Sequence, residues 1–198
     1  MIVDDVMTDK ITLHGLGFVQ VQLPNNQRLH VWHPELPRRR CFEHSSIHDH
    51  RFSFRSRVLV GTQVDIGYRH YPAEESGEYV MYLHEGARTA RGGRPWVPDG
   101  RCDLIQDYRR AIEAGDEYRI RAYVYHRTEP AGNGKVATLM YKSEEFRKGA
   151  HSTCRVGIHP DADFDRYQWP PSRLWEVVCD VLLAEIESPF HATPIGGA

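Results

Sequence analysis

Histidines are the residues of this chain whose type and spacing best suit chemistry. His48 and His50 stand two positions apart, and His126 lies in a later segment rich in strand-forming residues. Because side chains at positions i and i+2 point to the same face of a strand, the first two imidazoles are expected to lie side by side. A third imidazole from a neighbouring strand would complete a three-histidine site for a divalent metal ion.

The spacing of the first two histidines is weak evidence by itself, because the chain has 12 histidines in 198 residues. At that abundance about 0.7 His-x-His pairs are expected by chance. Two glycines strengthen the pattern, since Gly61 follows His50 by eleven positions and Gly115 precedes His126 by eleven more. The combination favours metal binding over a chance collection of structural or solvent-facing histidines.

These residues resemble the two sequence motifs of the cupin superfamily. The first motif, G-x5-H-x-H-x3/4-E-x6-G, is matched at His48, His50 and Gly61. The second motif, G-x5-P-x-G-x2-H-x3-N, is matched at Gly115 and His126.

The resemblance covers about residues 42–141 and implies a fold and a ligand set. The implied fold is all-β, a double-stranded β-helix known as the cupin jelly roll. The implied metal ligands are His48, His50 and His126, deep inside the barrel.

The chain departs from the cupin motifs where they supply a carboxylate ligand. Phe54 or Arg55, depending on the spacer, stands at the glutamate position. Other motif positions also differ, namely Phe42, Arg121, Tyr123 and Pro130. The remaining pattern is similar to the three-histidine cupins, of which the thiol dioxygenases are the best understood, and to a poorly characterised cysteine-dioxygenase-like subgroup.

Three neutral imidazoles would leave the charge of a divalent ion uncompensated and several coordination positions open. A non-haem Fe(II) ion can use such positions to hold O2 together with a chelating substrate. Zinc is the competing assignment, because three histidines and a water give a zinc-bound hydroxide near neutral pH. Nickel and manganese would also suit the site, and the resemblance alone favours iron.

The leading hypothesis is therefore a metal-binding cupin that acts as an Fe(II)-dependent dioxygenase on a small anionic or thiol substrate. Two alternatives stay open at this point. One is a non-catalytic cupin-fold module for binding or structure, and the other is a zinc- or manganese-dependent isomerase or hydrolase, since a fold does not fix a reaction.

Three residues near the histidine pair are candidates for the pocket wall. If the strand alternation continues beyond the pair, Phe54 faces inward as an apolar wall and Arg55 faces outward. Arg51 offers a guanidinium shaped to grip a substrate carboxylate. His44 shares the parity of the pair, so it is expected either to approach the pocket mouth or to take a surface role.

Strands dominate the elements that must position these residues. Strand-rich regions are predicted at 17–34 (a hairpin), 52–71, 79–83, 103–114, 118–126 and 136–141. The segment 103–114 also carries a helical stripe, and the resemblance favours a strand there. Residues 85–101, rich in Gly, Pro and Arg, are predicted to form a long loop, either a lid or a solvated excursion.

A helix is predicted near the C-terminus, at about residues 172–187, with Ser172 as its cap and a broad apolar face. This helix is expected to pack on the outer surface of the barrel or to form a subunit contact in a homodimer. With the motif-bearing barrel at about 17–145, the length predicts one cupin domain over residues 1–198.

The composition narrows the classes of partner. A formal net charge of −2 lacks the basic surface typical of nucleic-acid binding, so a small molecule is the expected partner and nucleic acid is not. No apolar run approaches the roughly 20 residues of a membrane span, and the N-terminus lacks a signal-peptide pattern. Four widely spaced cysteines without a CxxC pair predict reduced thiols in a cytoplasmic protein.

Overall fold

A computed structural model describes residues 10–183 of the chain, and they form strands with two helices. The strands are β1 (Ile11–His14), β2 (Phe18–Leu23), β3 (Gln27–Trp32), β4 (Phe52–Val60), β5 (Thr62–Pro72), β6 (Tyr79–His84), β7 (Val97–Glu113), β8 (Glu117–Ile120), β9 (Tyr125–Pro130), β10 (Val136–Glu145) and β11 (Ala150–Arg155). The helices are α1 (Phe42–Ser45) and α2 (Pro171–Leu183).

The strands form two antiparallel sheets. Six strands pair in the order β1-β2-β3-β10-β4-β8, and five pair in the order β11-β6-β7-β5-β9. The late strand β10 lies between the early strands β3 and β4, so the six-stranded sheet is completed only after most of the chain has been laid down. The prediction of an all-β jelly roll with a C-terminal helix is confirmed.

A short segment, residues 47–49, links the two edge strands of the five-stranded sheet. On one side, the backbone of His48 exchanges two hydrogen bonds with His126 of β9, at 2.9 and 3.0 Å. On the other side, the amide of Asp49 donates to the carbonyl of His151 in β11 at 2.9 Å. Residues 47–49 therefore close this sheet and place His48 between its two edges.

Side-chain alternation divides the six-stranded sheet into two apolar faces. Phe18 and Trp32 belong to the core between the sheets, while Val19 and Val31 belong to the core under α2. In β4, every second residue from Phe52 to Val60 is buried, as expected for a strand that covers the interior with one face.

Helix α2 packs against the outer face of the six-stranded sheet. It begins at Pro171, where a missing amide hydrogen is harmless in the first turn, and ends among the described residues at Leu183. Its buried residues follow helical spacing: Leu174, Val177, Val178 and Val181. The last predicted residues of this helix, 184–187, lie outside the described residues.

The predicted strand at 118–126 is wrong as a single element. Its first half is β8 in one sheet and its second half is β9 in the other. The chain turns at Tyr123, which has a left-handed φ of 61° and whose amide donates to the carbonyl of His50 at 2.8 Å. A non-glycine residue in this conformation cannot be read from strand alternation, which is why the break was not predicted.

The loop predicted at 85–101 is shorter than expected. It ends at Trp96, because β7 starts at Val97 and pairs with β6 in the register Val97–Leu83. The ambiguous segment 103–114 is part of this long strand, as the resemblance implied. The sheets also extend beyond 17–145, since β1 precedes that range and β11 follows it.

Gly61 makes the tight turn between β4 and β5. Its φ is 71°, and a Cβ atom at this position would collide with the backbone carbonyl oxygen of Lys135. The motif glycine is therefore required both by its backbone conformation and by the close approach of the loop before β10. No helix within residues 10–183 is long and apolar enough to cross a membrane.

Candidate metal centre

Three imidazoles converge in the interior of the sandwich. One ring nitrogen from each of His48, His50 and His126 lies within 4.8 Å of the other two. The ring centroids are 4.8 Å apart for His48 and His50, 4.7 Å for His48 and His126, and 5.1 Å for His50 and His126. The structure therefore brings the three predicted ligands into one cluster.

Backbone carbonyls fix the tautomers of two of these imidazoles. Nδ1 of His48 donates to the carbonyl of Ser46 at 3.0 Å, and Nδ1 of His126 donates to the carbonyl of Val124 at 3.0 Å. Because a carbonyl only accepts, each Nδ1 carries the proton and each Nε2 keeps a free lone pair. A hydrogen bond at the distal nitrogen is the usual support for a metal-binding histidine.

The three imidazoles are neutral, which is the form that binds a metal ion. Burial lowers the pKa of His48 and of His50 well below the ordinary value, and burial also lowers the pKa of His126. The charge that His126 would carry on protonation adds to this effect for His48 and His50, and that of His48 adds to it for His50. The donor set therefore fits a divalent ion that prefers imidazole.

A phenylalanine occupies the place of the carboxylate ligand. Phe54 is buried, with its ring centroid 5.3 Å from that of His50 and 5.9 Å from that of His126. Among the described residues no carboxylate joins the three histidines as a ligand. In this sandwich of two antiparallel sheets an aromatic wall therefore faces the histidine cluster.

Comparisons with known proteins do not assign this chain to a family. No family model matches the sequence, and no curated protein matches it either. Eleven chains of solved structures match it, among them the hydroquinone 1,2-dioxygenase from Sphingomonas sp. TTNP3, crystallised with 4-hydroxybenzoate bound. That match has a TM-score of 0.30 and 11% identity, and it covers 64% of this chain and 65% of the other. A likeness this distant indicates neither activity nor substrate.

A cavity of about 260 Å³ opens onto the histidine cluster, and its wall is rich in histidine and arginine side chains. Besides the cluster, the cavity is lined by the imidazoles of His14, His30 and His84 and by the guanidinium groups of Arg28, Arg39, Arg88, Arg94 and Arg166. The net charge of this wall is strongly positive, because five guanidinium groups line it together with two carboxylates, Asp49 and Asp161. Both carboxylates are already hydrogen-bonded to other groups.

Arg39 is the most deeply buried of the five arginines, with 8% of its surface exposed. Its guanidinium lies 4.9 Å from the ring centroid of Trp96 and donates to the carbonyl of Ser45, while its Nε has no partner among the described residues. Burial lowers the pKa of Arg39 to about 10, so it stays charged near neutral pH. A buried cation of this kind is suited to an anionic ligand.

His151 and Asp49 form a network that the sequence did not indicate. Asp49 accepts a hydrogen bond from the amide of His151 at 2.6 Å, and its other oxygen lies 3.3 Å from Nδ1 of the same residue. Nε2 of His151 lies 2.9 Å from Asp99. These two carboxylates raise the pKa of His151, Asp49 having the larger effect. Because Asp49 separates the first two histidines of the cluster, the network anchors both of them.

Of the three predicted pocket residues, the structure brings one to the cavity. Phe54 lines it, as the strand parity predicted. Arg51 instead pairs with Glu145 at 2.7 Å and is not among the lining residues. His44 is exposed on α1, a helix that interrupts the expected strand parity, and it does not line the cavity either.

Proposed function

We propose that this protein is a metal-dependent oxygenase with a three-histidine centre, Fe(II) by preference, that acts on a small anionic substrate. One observation carries the proposal. The free Nε2 atoms of His48 and His126, together with His50, face a cavity whose wall holds five guanidinium groups without an ion-pair partner among residues 10–183.

The residues of the chain have separate tasks in this proposal. His48, His50 and His126 hold the ion, and the carbonyls of Ser46 and Val124 keep two of the rings in the ligating orientation. A ferrous ion held there would supply the redox chemistry for O2 and leave adjacent positions for a chelating substrate.

In this proposal the charged wall of the cavity binds the substrate, and the aromatic wall excludes water. Arg39 is suited to hold an anionic group of the substrate, because its buried Nε is unpartnered and its guanidinium is fixed by Ser45 and Trp96. Burial is the main cause of the lowered pKa of His48, and the charge of Arg39 makes a smaller contribution in the same direction. Phe54 covers one side of the cluster with apolar surface, which limits access of water to the reacting atoms.

A zinc hydrolase is the second candidate, and the missing carboxylate favours it. Three histidines plus one water are a complete catalytic zinc site, whereas many iron centres include a carboxylate ligand. Phe54 at the carboxylate position is therefore the observation that supports the zinc candidate.

Metal analysis of the purified full chain tests the proposal. We expect one bound divalent ion per chain in the native protein and none in His126→Ala. His44→Ala is the matched control, because this exposed histidine lies on α1 away from the cavity, and it should keep the ion.

Oxygen consumption then separates the two candidates. Protein reconstituted with Fe(II) should consume O2 with a member of a panel of small thiols and carboxylates, and His126→Ala should not. Ester hydrolysis by the zinc form without O2 uptake by the iron form would favour the hydrolase. Failure of the native chain to bind any divalent ion would contradict both and favour a binding module.

A further inference from the structure

Three of the cavity arginines reach it from segments far apart in the chain. Arg28 lies on β3, Arg88 on the loop between β6 and β7, and Arg166 on the segment between β11 and α2. Their guanidinium groups donate to neutral acceptors, namely Gln22 (3.3 Å), Gly92 (2.5 Å), Leu13 (2.9 Å) and Thr12 (3.1 Å). Each side chain is therefore held in place by neutral groups, and no carboxylate of the described residues neutralises its charge.

Arginines elsewhere in residues 10–183 are of two kinds, those with a carboxylate partner there and those without one, such as Arg101, which donates to the carbonyls of Glu75 and Gly77. Seven of them form ion pairs with Asp or Glu, namely Arg40, Arg51, Arg55, Arg69, Arg110, Arg127 and Arg155. Burial above all lowers the pKa of Arg28, and Glu145 opposes this only in part, since the Glu145 oxygens contact Arg51 at 2.7 Å and Lys142 at 3.0 Å. The positive charge of the three cavity arginines thus has no internal counterpart in the described part of the chain.

The three charges act on one another. Burial is the main cause of the lowered pKa of Arg28 and of Arg166; the charge of Arg88 adds to both shifts, and the charge of Arg28 adds to that of Arg166. Like charges held together in a partly buried cavity cost free energy unless an anion joins them. His30 faces the same group with a buried Nε2 that lacks a partner, and burial together with the charges of Arg28 and Arg166 lowers its pKa to about 3.

We propose that Arg28, Arg88 and Arg166 form a binding site for a dianionic group of the phosphate type, with His30 as an additional hydrogen-bonding partner. Three guanidinium forks match the several oxygens and double charge of a phosphate monoester better than a single carboxylate. This phosphate site adds a substrate class to the proposed function, and it rests on that function because it takes the cavity to be the substrate site. The substrate class is then a small phosphorylated molecule whose other end reaches the histidine cluster.

The test measures binding of inorganic phosphate to the metal-free full chain by isothermal titration calorimetry, with acetate as the comparison anion. We expect phosphate to bind at least about tenfold more tightly than acetate. Arg88→Gln and Arg166→Gln should each weaken phosphate binding by about tenfold. Arg119→Gln, which removes an exposed arginine on β8, is the matched control and should bind phosphate like the native chain.

Arg166 also tethers the chain to β1, so its substitution can affect folding, whereas Arg88 lies on an exposed loop. Arg88→Gln therefore decides the outcome if Arg166→Gln is unstable in a thermal melt. Equal binding of phosphate and acetate, or equal loss in Arg88→Gln and Arg119→Gln, would overturn the proposal. Because metal is absent from this assay, the two proposals can fail separately. Phosphate binding by a chain that binds no metal would support the phosphate site and contradict the oxygenase. Metal binding by a chain that does not bind phosphate would contradict the phosphate site and leave the oxygenase proposal in place.

Discussion

The histidine cluster and the arginine group line one cavity but are built in different ways. The cluster is set by backbone pairing, because His48 and His126 are hydrogen-bonded partners across two chain segments and carbonyls orient their rings. The arginine group draws on one strand and two connecting segments, and its side chains are long. The comparison teaches that backbone pairing supplies geometric precision for the histidine cluster, whereas the connections supply most of the charge of the arginine group.

Removing a histidine should have the largest effect, and it should change the histidine cluster without changing the arginine group. His48→Ala is expected to weaken Co(II) binding by at least about 100-fold, since even the outer partners of metal ligands are worth 10–100-fold. Phosphate binding should stay at the native level, because His48 is neutral and is not one of the three arginines. The visible absorption of Co(II) and calorimetry with phosphate measure the two affinities. A parallel loss of both would contradict the separation.

Gly61→Ala probes the rigidity of the strands that carry the cluster. We expect a loss of about 2–3 kcal/mol in the free energy of unfolding, from the left-handed φ and the collision with the Lys135 carbonyl. Gly132→Ala is the matched control, because its φ is 61° and no atom lies within 4 Å of a Cβ there. Urea denaturation compares the two, and equal losses would show that the collision is relieved at no cost.

Asp49→Asn tests the network that anchors the first two histidines. We expect metal affinity to fall by about tenfold, because Asp49 holds His151 and thereby the segment between β9 and β11. Asp107→Asn, which removes an ion pair with Arg69 on the five-stranded sheet, should leave metal affinity unchanged. Competition with a chromophoric chelator gives both values. Native affinity in Asp49→Asn would show that backbone pairing alone fixes the cluster.

Asp180→Asn should have the smallest effect and should touch neither region. Asp180 on α2 contacts Lys135 at 2.8 Å and His33 at 3.1 Å, and Lys135 has the larger part in lowering its pKa. This exposed pair should contribute less than about 1 kcal/mol to stability. Because the folded pKa is lowered, the contribution is present above the unfolded pKa of about 3.9 and is lost as the pH falls through the folded value. Urea denaturation of the native protein and of Asp180→Asn, at pH 7 and at pH 3, measures the difference in the free energy of unfolding.

The sequence predicted which histidines lie together, but it did not predict the backbone geometry that brings them together. The i, i+2 spacing suggested that His48 and His50 share a strand face, yet β4 begins only at Phe52. Their common orientation comes from extended backbone that bridges β9 and β11. Phe54 kept the expected parity because it lies within β4, whereas His44 did not because α1 intervenes.

The arginine group and the Asp49–His151 network could not be predicted from sequence. Arg28 and Arg166 are 138 positions apart, and only the completed sandwich brings them to one cavity. His151 lies on β11, a strand that follows the motif-bearing region and was not predicted. Contacts between segments so far apart depend on tertiary packing, for which local periodicity carries no signal.

The bridging of β9 and β11 by residues 47–49 has a consequence for the lifetime of the native state. Unpaired strand edges invite association with other chains, and here the short stretch that carries His48, next to His50, also pairs with both edges. An ion bound by those imidazoles would tie the stretch to β9 and raise the barrier to its release. Loss of the ion would then ease the release of this stretch and leave both strand edges open to association with other chains.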